Sequence, residues 1–292
     1  MGVGILAVLL AAALPFRAEP VDPVEALTAQ NVTVIAHAGG AGHAPANTIE
    51  AFDTAVEMGA HVLEMDLQLT ADNEVVVIHD ADVDRTTNGI GTVREMTLEE
   101  LRELDAGYSW QDDSGEFPFR DEGVQIPTLN EVIERYEDYP MVVELKTDGG
   151  EDIVDAVAAV IDRHGVHDTV VVSSFDAQYL ERFREIMPDV ATNLGVNEAG
   201  RFYALQLFGL HRWHAPPGEV LQVPSTYSGI PVFVPGFVRK AEQMGLHVQV
   251  WTINEYDEIL ELLERGVHGI ITDYPDRARA AATSVGRSLR NP

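Results

Sequence analysis

Short apolar runs alternate with amphipathic segments along almost the whole chain, and no other feature restricts the fold so tightly. The apolar runs are expected strands near Val32–Ala36, Val62–Gln68, Val75–Ile78, Met141–Leu145, Val170–Ser173, Val190–Leu194, Val220–Val223, Val248–Trp251 and Ile270–Thr272. Helices are expected between them, at Thr48–Met58 and near 129–137, 151–163, 177–186, 236–244, 255–265 and 276–284. The first carries a capping signal, Asn47 followed three residues on by Glu50. Strands that alternate with helices make βα units and a parallel sheet. About eight units in 292 residues fit a closed α/β (β/α)8 barrel, the TIM barrel, better than an open doubly wound sheet. No G-x-G-x-x-G phosphate loop follows the first strand. Between His79 and Pro127 the pattern lapses into a turn-rich stretch too long for an ordinary βα loop, and an insertion at about 80–126 is expected within a barrel of residues 32–285.

One stretch, HVLEMDLQLTADNEVVVIHD from His61 to Asp80, is unusual for a strand. With a period of two, Glu64, Asp66 and Gln68 share one face while Leu63, Met65, Leu67 and Leu69 share the other. Either the polar face is exposed to water, or the two acids hold a hard cation. Chemistry in a barrel of this kind sits at the carboxyl ends of its strands. Those ends carry His37, the Glu64 and Asp66 pair, His79, Glu144 with Lys146, Ser173 with Ser174, and Trp251 with Thr252. Glu64, Asp66 and Glu144 form an oxygen donor set suited to Ca2+ or Mg2+, whereas zinc would draw on the histidines. His37 and His79 suit a general base and a general acid, although a lone histidine is often structural. Lys146 suits a phosphate oxygen, and a plain ion pair with Glu144 explains it equally well.

The 48 acids and 19 bases give a net charge of −29, which repels nucleic acid and anionic membranes, so no nucleic-acid partner is expected. Only Lys146 and Lys240 are lysines, and with the acid excess this suits a protein of salty surroundings. There is no cysteine, which excludes disulfides and thiolate metal sites. Residues 3–16, VGILAVLLAAALPF, have signal-peptide length and fall short of the roughly 17 residues that span a bilayer. Residues 1–20 are therefore expected to act as a signal peptide or an N-terminal hydrophobic anchor for an exported protein, either secreted, periplasmic or held at the cell envelope.

Specific motifs sharpen this. From Val34 to Gly107 the chain resembles the glycerophosphodiester phosphodiesterase family, whose pattern runs H-R-G, E-N-T, G-A-x-x-x-E-x-D, H-D and R-T-T-N-G. Here those places read HAGG, ANT, GAHVLEMD, HD and RTTNG, and IPTLNEVI, VVELK, VWTIN and GIITDYP follow, so the resemblance covers about 33–279. It implies a TIM barrel, a divalent-cation site at Glu64, Asp66 and Glu144, an acid/base pair at His37 and His79, and phosphate or substrate contacts from Lys146 and Trp251. It further implies attack of the substrate's own glycerol 2-hydroxyl on phosphorus, then opening of the cyclic phosphate by water. Two places depart from the pattern: Ala38 stands where the family has arginine and Ala46 where it has glutamate. Loss of a bidentate guanidinium acting in the transition state lowers a rate by roughly 30- to 150-fold. His43, Arg85 or a second cation could compensate.

The substrate is expected to be a small water-soluble glycerophosphodiester. Within Gly200 to Gly236, Phe202, Tyr203, Leu207, Phe208, Leu210 and Trp213 form either an apolar lip beside the site or a core-packing helix. A lip would favour lysophospholipids, a lysophospholipase D activity and peripheral contact with a membrane. A barrel that binds a phosphodiester or cation without turning it over is the reading of another class, motivated by Ala38 and Ala46. The related sphingomyelinase D barrels fit less well, because the RTTNG and VWTIN segments are those of the phosphodiesterases. Oligomeric state is not legible from these features.

Overall fold

The computed structural model describes residues 32–286 and, ahead of them, Ala18, Pro20, Val24 and Leu27. The expected signal or anchor segment otherwise lies outside the described residues. Eight parallel strands form the barrel: β1 (Thr33–Ala36), β2 (Val62–Leu69), β4 (Met141–Leu145), β5 (Val170–Ser173), β6 (Ala191–Thr192), β7 (Val220–Pro224), β10 (His247–Trp251) and β11 (Gly269–Thr272). Their spatial order is β6-β5-β4-β2-β1-β11-β10-β7. At the seam, Asn193 and Val220 form one parallel bridge, and the Leu194 N–H donates to the Val220 carbonyl at 2.9 Å, so the barrel is nearly closed.

Two expected strands changed character. Val75–Ile78 is shortened to β3 (Val75–Val77), which folds back antiparallel on the far end of β2 and takes no place in the barrel wall. The ADNE turn explains this, since so short a connection reverses the chain where a parallel neighbour needs a crossover of a dozen residues or more. Val190–Leu194 contracts to the two residues of β6 at the seam. A small antiparallel hairpin, β8 (Thr226–Tyr227) and β9 (Ile230–Pro231), rises beyond β7.

The polar face of β2 points into the barrel and not to water, for every residue of the strand is buried. Leu63, Met65 and Leu67 pack outward beneath the helices, in one cluster with Phe52, Leu129, Val157 and Phe183. Inside, Ile35, Val62, Val142, Val171, Val220 and Ile271 form an apolar plug with Leu27. Truncating an aromatic such as Phe52 in this packing costs about 3–5 kcal/mol.

The helix that follows β1 is Ile49–Glu57, and its N-cap is Thr48, whose hydroxyl accepts the Ala51 N–H. The expected pairing of Asn47 with Glu50 does not form, because the Asn47 side chain is engaged by β2. Residues 80–126 carry their own small core of Val83, Val93, Leu101, Ala106, Val124 and Ile126 around Val76 and Ile78. Trp110 ties this segment to the loop after β1 by donating its indole N–H to the Ala41 carbonyl at 3.0 Å.

Candidate active site

The strand ends open into one cavity of about 600 Å³. All seven residues singled out by the sequence, His37, Glu64, Asp66, His79, Glu144, Lys146 and Trp251, line it.

His37 opens a tight turn directly after β1. Ala38 takes the left-handed region (φ 46°, ψ 35°), which L residues seldom occupy, and its N–H donates to Glu64 Oε2 at 2.7 Å. Gly39 is required next to it: φ is 81°, and a Cβ there would stand 2.8 Å from Ala51 Cβ and 2.9 Å from the Phe52 ring. The HAGG turn thus presents one imidazole to the cavity and one amide to a buried carboxylate.

Glu64, Asp66 and Glu144 bring carboxylate oxygens within 4.8 Å of one another. β2 and β4 are parallel neighbours with Asp66 opposite Glu144, and the period of two turns Glu64 to the same side. Asn47 holds Asp66 twice, donating from Nδ2 to Oδ2 at 2.8 Å and accepting the Asp66 N–H at Oδ1 at 3.1 Å. Lys146 Nζ bridges Asp66 Oδ1 at 2.8 Å and Glu144 Oε1 at 2.7 Å. The ion pair foreseen for Lys146 is present, joined by a second.

Two buried carboxylates, the partly buried Glu144 and one ammonium leave the cluster short of positive charge. Burial, with Asp66 beside it, pushes the Glu64 carboxyl up to about 8. Glu144 is also raised by burial, against the pull of Lys146, while the Lys146 charge holds Asp66 low despite its burial. An all-oxygen donor set carrying excess charge fits a divalent hard cation, which would relieve the penalty that Glu64 now bears.

The histidines are each backed by a carboxylate. His37 Nδ1 meets Asp273 Oδ1 at 2.6 Å, and Asn254 Nδ2 donates to Asp273 Oδ2 at 2.6 Å. His79 Nδ1 meets Asp80 Oδ1 at 2.7 Å, and Arg85 Nε donates to Asp80 Oδ2 at 2.5 Å. A carboxylate only accepts, so Nδ1 carries a proton in both rings and Nε2 is left for chemistry. Burial works against a charged His37, yet the Asp273 hydrogen bond and the charges of Glu64, Asp273 and Asp66 prevail and raise its pKa to about 9.

Asp273, Asn254 and Asp80 received no role from the sequence, and Asn47 was read only as a helix cap. Asp273 was nonetheless findable, for a closed barrel sets its last strand beside its first. The observed register pairs Ala36 with Thr272, which sets Asp273 opposite His37. Neither residue considered as compensating for Ala38 is free: His43 Nε2 meets Asp276 Oδ1 at 2.9 Å, and Arg85 is held by Asp80. Arg85 reaches the site through Asp80, two hydrogen bonds from His79.

Of the 200–236 residues, only part borders the cavity. The helix Val196–Leu207, foreseen only as the core-packing alternative, turns Val196, Ala199, Gly200 and Tyr203 toward it. Phe202 packs in the core with Phe237, while Leu207, Phe208 and Trp213 are exposed and do not line the cavity. Of the six residues named for a lip, only Tyr203 lines the cavity, while Phe202 takes the core-packing role.

The model of the glycerophosphoryl diester phosphodiesterase family matches residues 37–277. The YhdW protein of Bacillus subtilis is 37% identical over 251 residues, covering 83% of this chain and 95% of its own. A glycerophosphodiester phosphodiesterase of Caldanaerobacter subterraneus is 34% identical over 248 residues, covering 83% and 94%. Among solved structures, an Oleispira antarctica phosphodiesterase in complex with the product sn-glycerol-3-phosphate superposes with a TM-score of 0.73 at 26% identity, covering 88% of this chain and 99% of that one. With the family match running from His37 through the strand ends to Arg277, the chain belongs to the glycerophosphoryl diester phosphodiesterase family.

Proposed function

We propose that the cavity hydrolyses glycerophosphodiesters to sn-glycerol 3-phosphate and an alcohol in a cation-dependent reaction. The observation that carries this is the convergence of three carboxylates, Lys146 and two carboxylate-backed histidines on one cavity. Glu64, Asp66 and Glu144 would hold Ca2+ or Mg2+. Such an ion, when bound, supplies positive charge for the phosphate oxygens.

The chain's own residues account for the proton traffic. The 2-hydroxyl oxygen of the glycerol attacks phosphorus and gives its proton to His79 Nε2, as the bond from phosphorus to the departing alcohol breaks. His37, charged at neutral pH, protonates that alcohol from Nε2. Water then opens the cyclic ester with the roles reversed, which yields glycerol 3-phosphate and restores both rings. Lys146 neutralises charge on the phosphate, and preorganised charge of this kind is usually the largest catalytic contribution.

The decisive experiment is ³¹P NMR of residues 21–292 with glycerophosphocholine, in chelator, in Mg2+ and in Ca2+. Glycerol phosphate formed only with a cation supports the reading. An unchanged substrate beside a protein that still binds the cation would favour the non-catalytic barrel, with Ala38 as the reason. For the apolar run at 3–16 we propose export to the cell envelope, tested by cell fractionation with and without residues 1–20. Equal distribution of the two forms would refute it.

A further inference from the structure

Around the barrel the strands follow in the order β1, β2, β4, β5, β6, β7, β10 and β11. The histidine, acid and lysine side chains of the cavity stand on the first three and on the loop after β3, which makes one half of it charged. The half across from it is mostly apolar, with Phe175, Tyr203, Val223, Tyr227 and Ile230. Two carboxamides interrupt it, Asn193 just past β6 and Gln222 within β7, and neither has a part in the chemistry above.

Both amides belong to one hydrogen-bonded file. The Ser174 N–H donates to Asn193 Oδ1 at 3.1 Å, Asn193 Nδ2 to Gln222 Oε1 at 3.2 Å, and Gln222 Nε2 to Gln249 Oε1 at 2.9 Å. Gln249 Nε2 ends the file on His247 Nδ1 at 3.3 Å. Its direction is fixed at both ends. A backbone N–H only donates, and so does an amide nitrogen, which obliges His247 Nδ1 to accept. Burial keeps that ring neutral by pushing its pKa down to about 3. Every side-chain carbonyl of the file is therefore taken, while the NH2 groups of Asn193 and Gln222 have each spent one hydrogen of two. What this wall offers a ligand is a pair of N–H donors.

We infer that Asn193 and Gln222 bind a hydroxyl oxygen of the departing alcohol, so that the preferred substrates are glycerophosphodiesters of a polyol. The inference rests on the hydrolase reading above and names the class of head group. β6 and β7 lie across the barrel from β1 and β2, whose groups hold the phosphate in that reading. The glycerol folds back onto phosphorus for its 2-hydroxyl to attack, so the arm free to cross the barrel is the alcohol. A hydroxyl oxygen there accepts from the amides. An ammonium has no lone pair to offer and leaves both donors desolvated and unpaired, the condition under which a polar site rejects an analogue most strongly. The three carboxylates that line the cavity all stand in the charged half, so none is at hand to pair with a cationic head group.

The test is kcat/KM for three glycerophosphodiesters that differ only in their alcohol: glycerol, choline and ethanolamine. Wild type is expected to favour glycerophosphoglycerol over both ammonium diesters at least about tenfold, as one or two hydrogen bonds imply. In Gln222→Met, checked for folding by its thermal melt, the ratio should fall to about one, where a merely structural residue would slow all three alike. Gln222→Glu, which sets an acceptor in place of the donor, should turn the preference toward choline, and is read instead if Gln222→Met does not fold. Binding is read separately, by quenching of tryptophan fluorescence in chelator, with glycerophosphoglycerol against glycerophosphocholine. Tighter binding of glycerophosphoglycerol without any turnover would sustain the amide site and sink the hydrolase reading. Equal kcat/KM for the three alcohols, or a wild-type preference for choline, overturns the inference alone. So does a glycerol preference that survives both variants, or equal binding of the two diesters in chelator.

Discussion

The two halves of the cavity are built from the same kind of strand end and differ in what holds them. In the charged half almost every side chain is clamped: Asp66 by Asn47 and Lys146, His37 by Asp273, His79 by Asp80. In the apolar half van der Waals contact does most of the work, as in the edge-on pair of Phe175 and Trp251 with ring centres 5.5 Å apart. Directional bonds fix atoms within tenths of an ångström, which proton transfer needs, whereas non-directional packing tolerates ligands of different length. The charged half should therefore govern turnover, and the apolar half selectivity.

The largest effect that sharpens this contrast is expected from Glu64→Gln or Asp66→Asn, with kcat lowered at least about 10³-fold on every substrate whatever its alcohol. Unchanged rates in both variants would remove the carboxylates from the chemistry. Next come His79→Ala and His37→Ala, each expected to lose about 10³-fold while calorimetry still detects the cation. Asp273→Asn should cost about 10²-fold by loosening the His37 tautomer. It should also move the alkaline limb of the pH profile to lower pH, because Asp273 holds the His37 pKa up and the reaction needs that ring protonated. A limb that does not move would break the assignment of His37 as acid. Tyr203→Ala, in the other half, should change KM by less than about tenfold and leave kcat alone.

The smallest effect concerns stability and runs against function. Glu64 has its folded-state pKa raised to about 8 from 4.5, so between these values the folded protein binds the extra proton. Stability contributed by this group is present below pH 4.5 and lost as pH rises through 8, by at most about 1.4 kcal/mol per pH unit. Without cation, wild type should lose melting temperature from pH 6 to 9 more steeply than Glu64→Gln. Parallel curves would show that the cluster is not strained.

Much of this was legible in the sequence, for physical reasons. Strand–helix alternation fixed the barrel, and a period of two placed Glu64, Asp66 and Glu144 on inward faces. The partners of those residues were harder to read, because Asn47, Asn254 and Asp273 join across 19, 19 and 236 positions of sequence. A cap-like Asn47 also carries two incompatible readings, and the buried Asp66 claimed it over the helix. The hairpin β8–β9 escaped notice because its strands are two residues long and lack alternation.

The most direct test of the charged half is a paired cation titration, followed once by thermal stabilisation and once by hydrolysis of glycerophosphocholine. The expected result is one half-saturating concentration for both, with neither response in Asp66→Asn. Turnover that persists in chelator, or that saturates at a concentration unrelated to stabilisation, would contradict the claim that Glu64, Asp66 and Glu144 hold the ion on which catalysis depends.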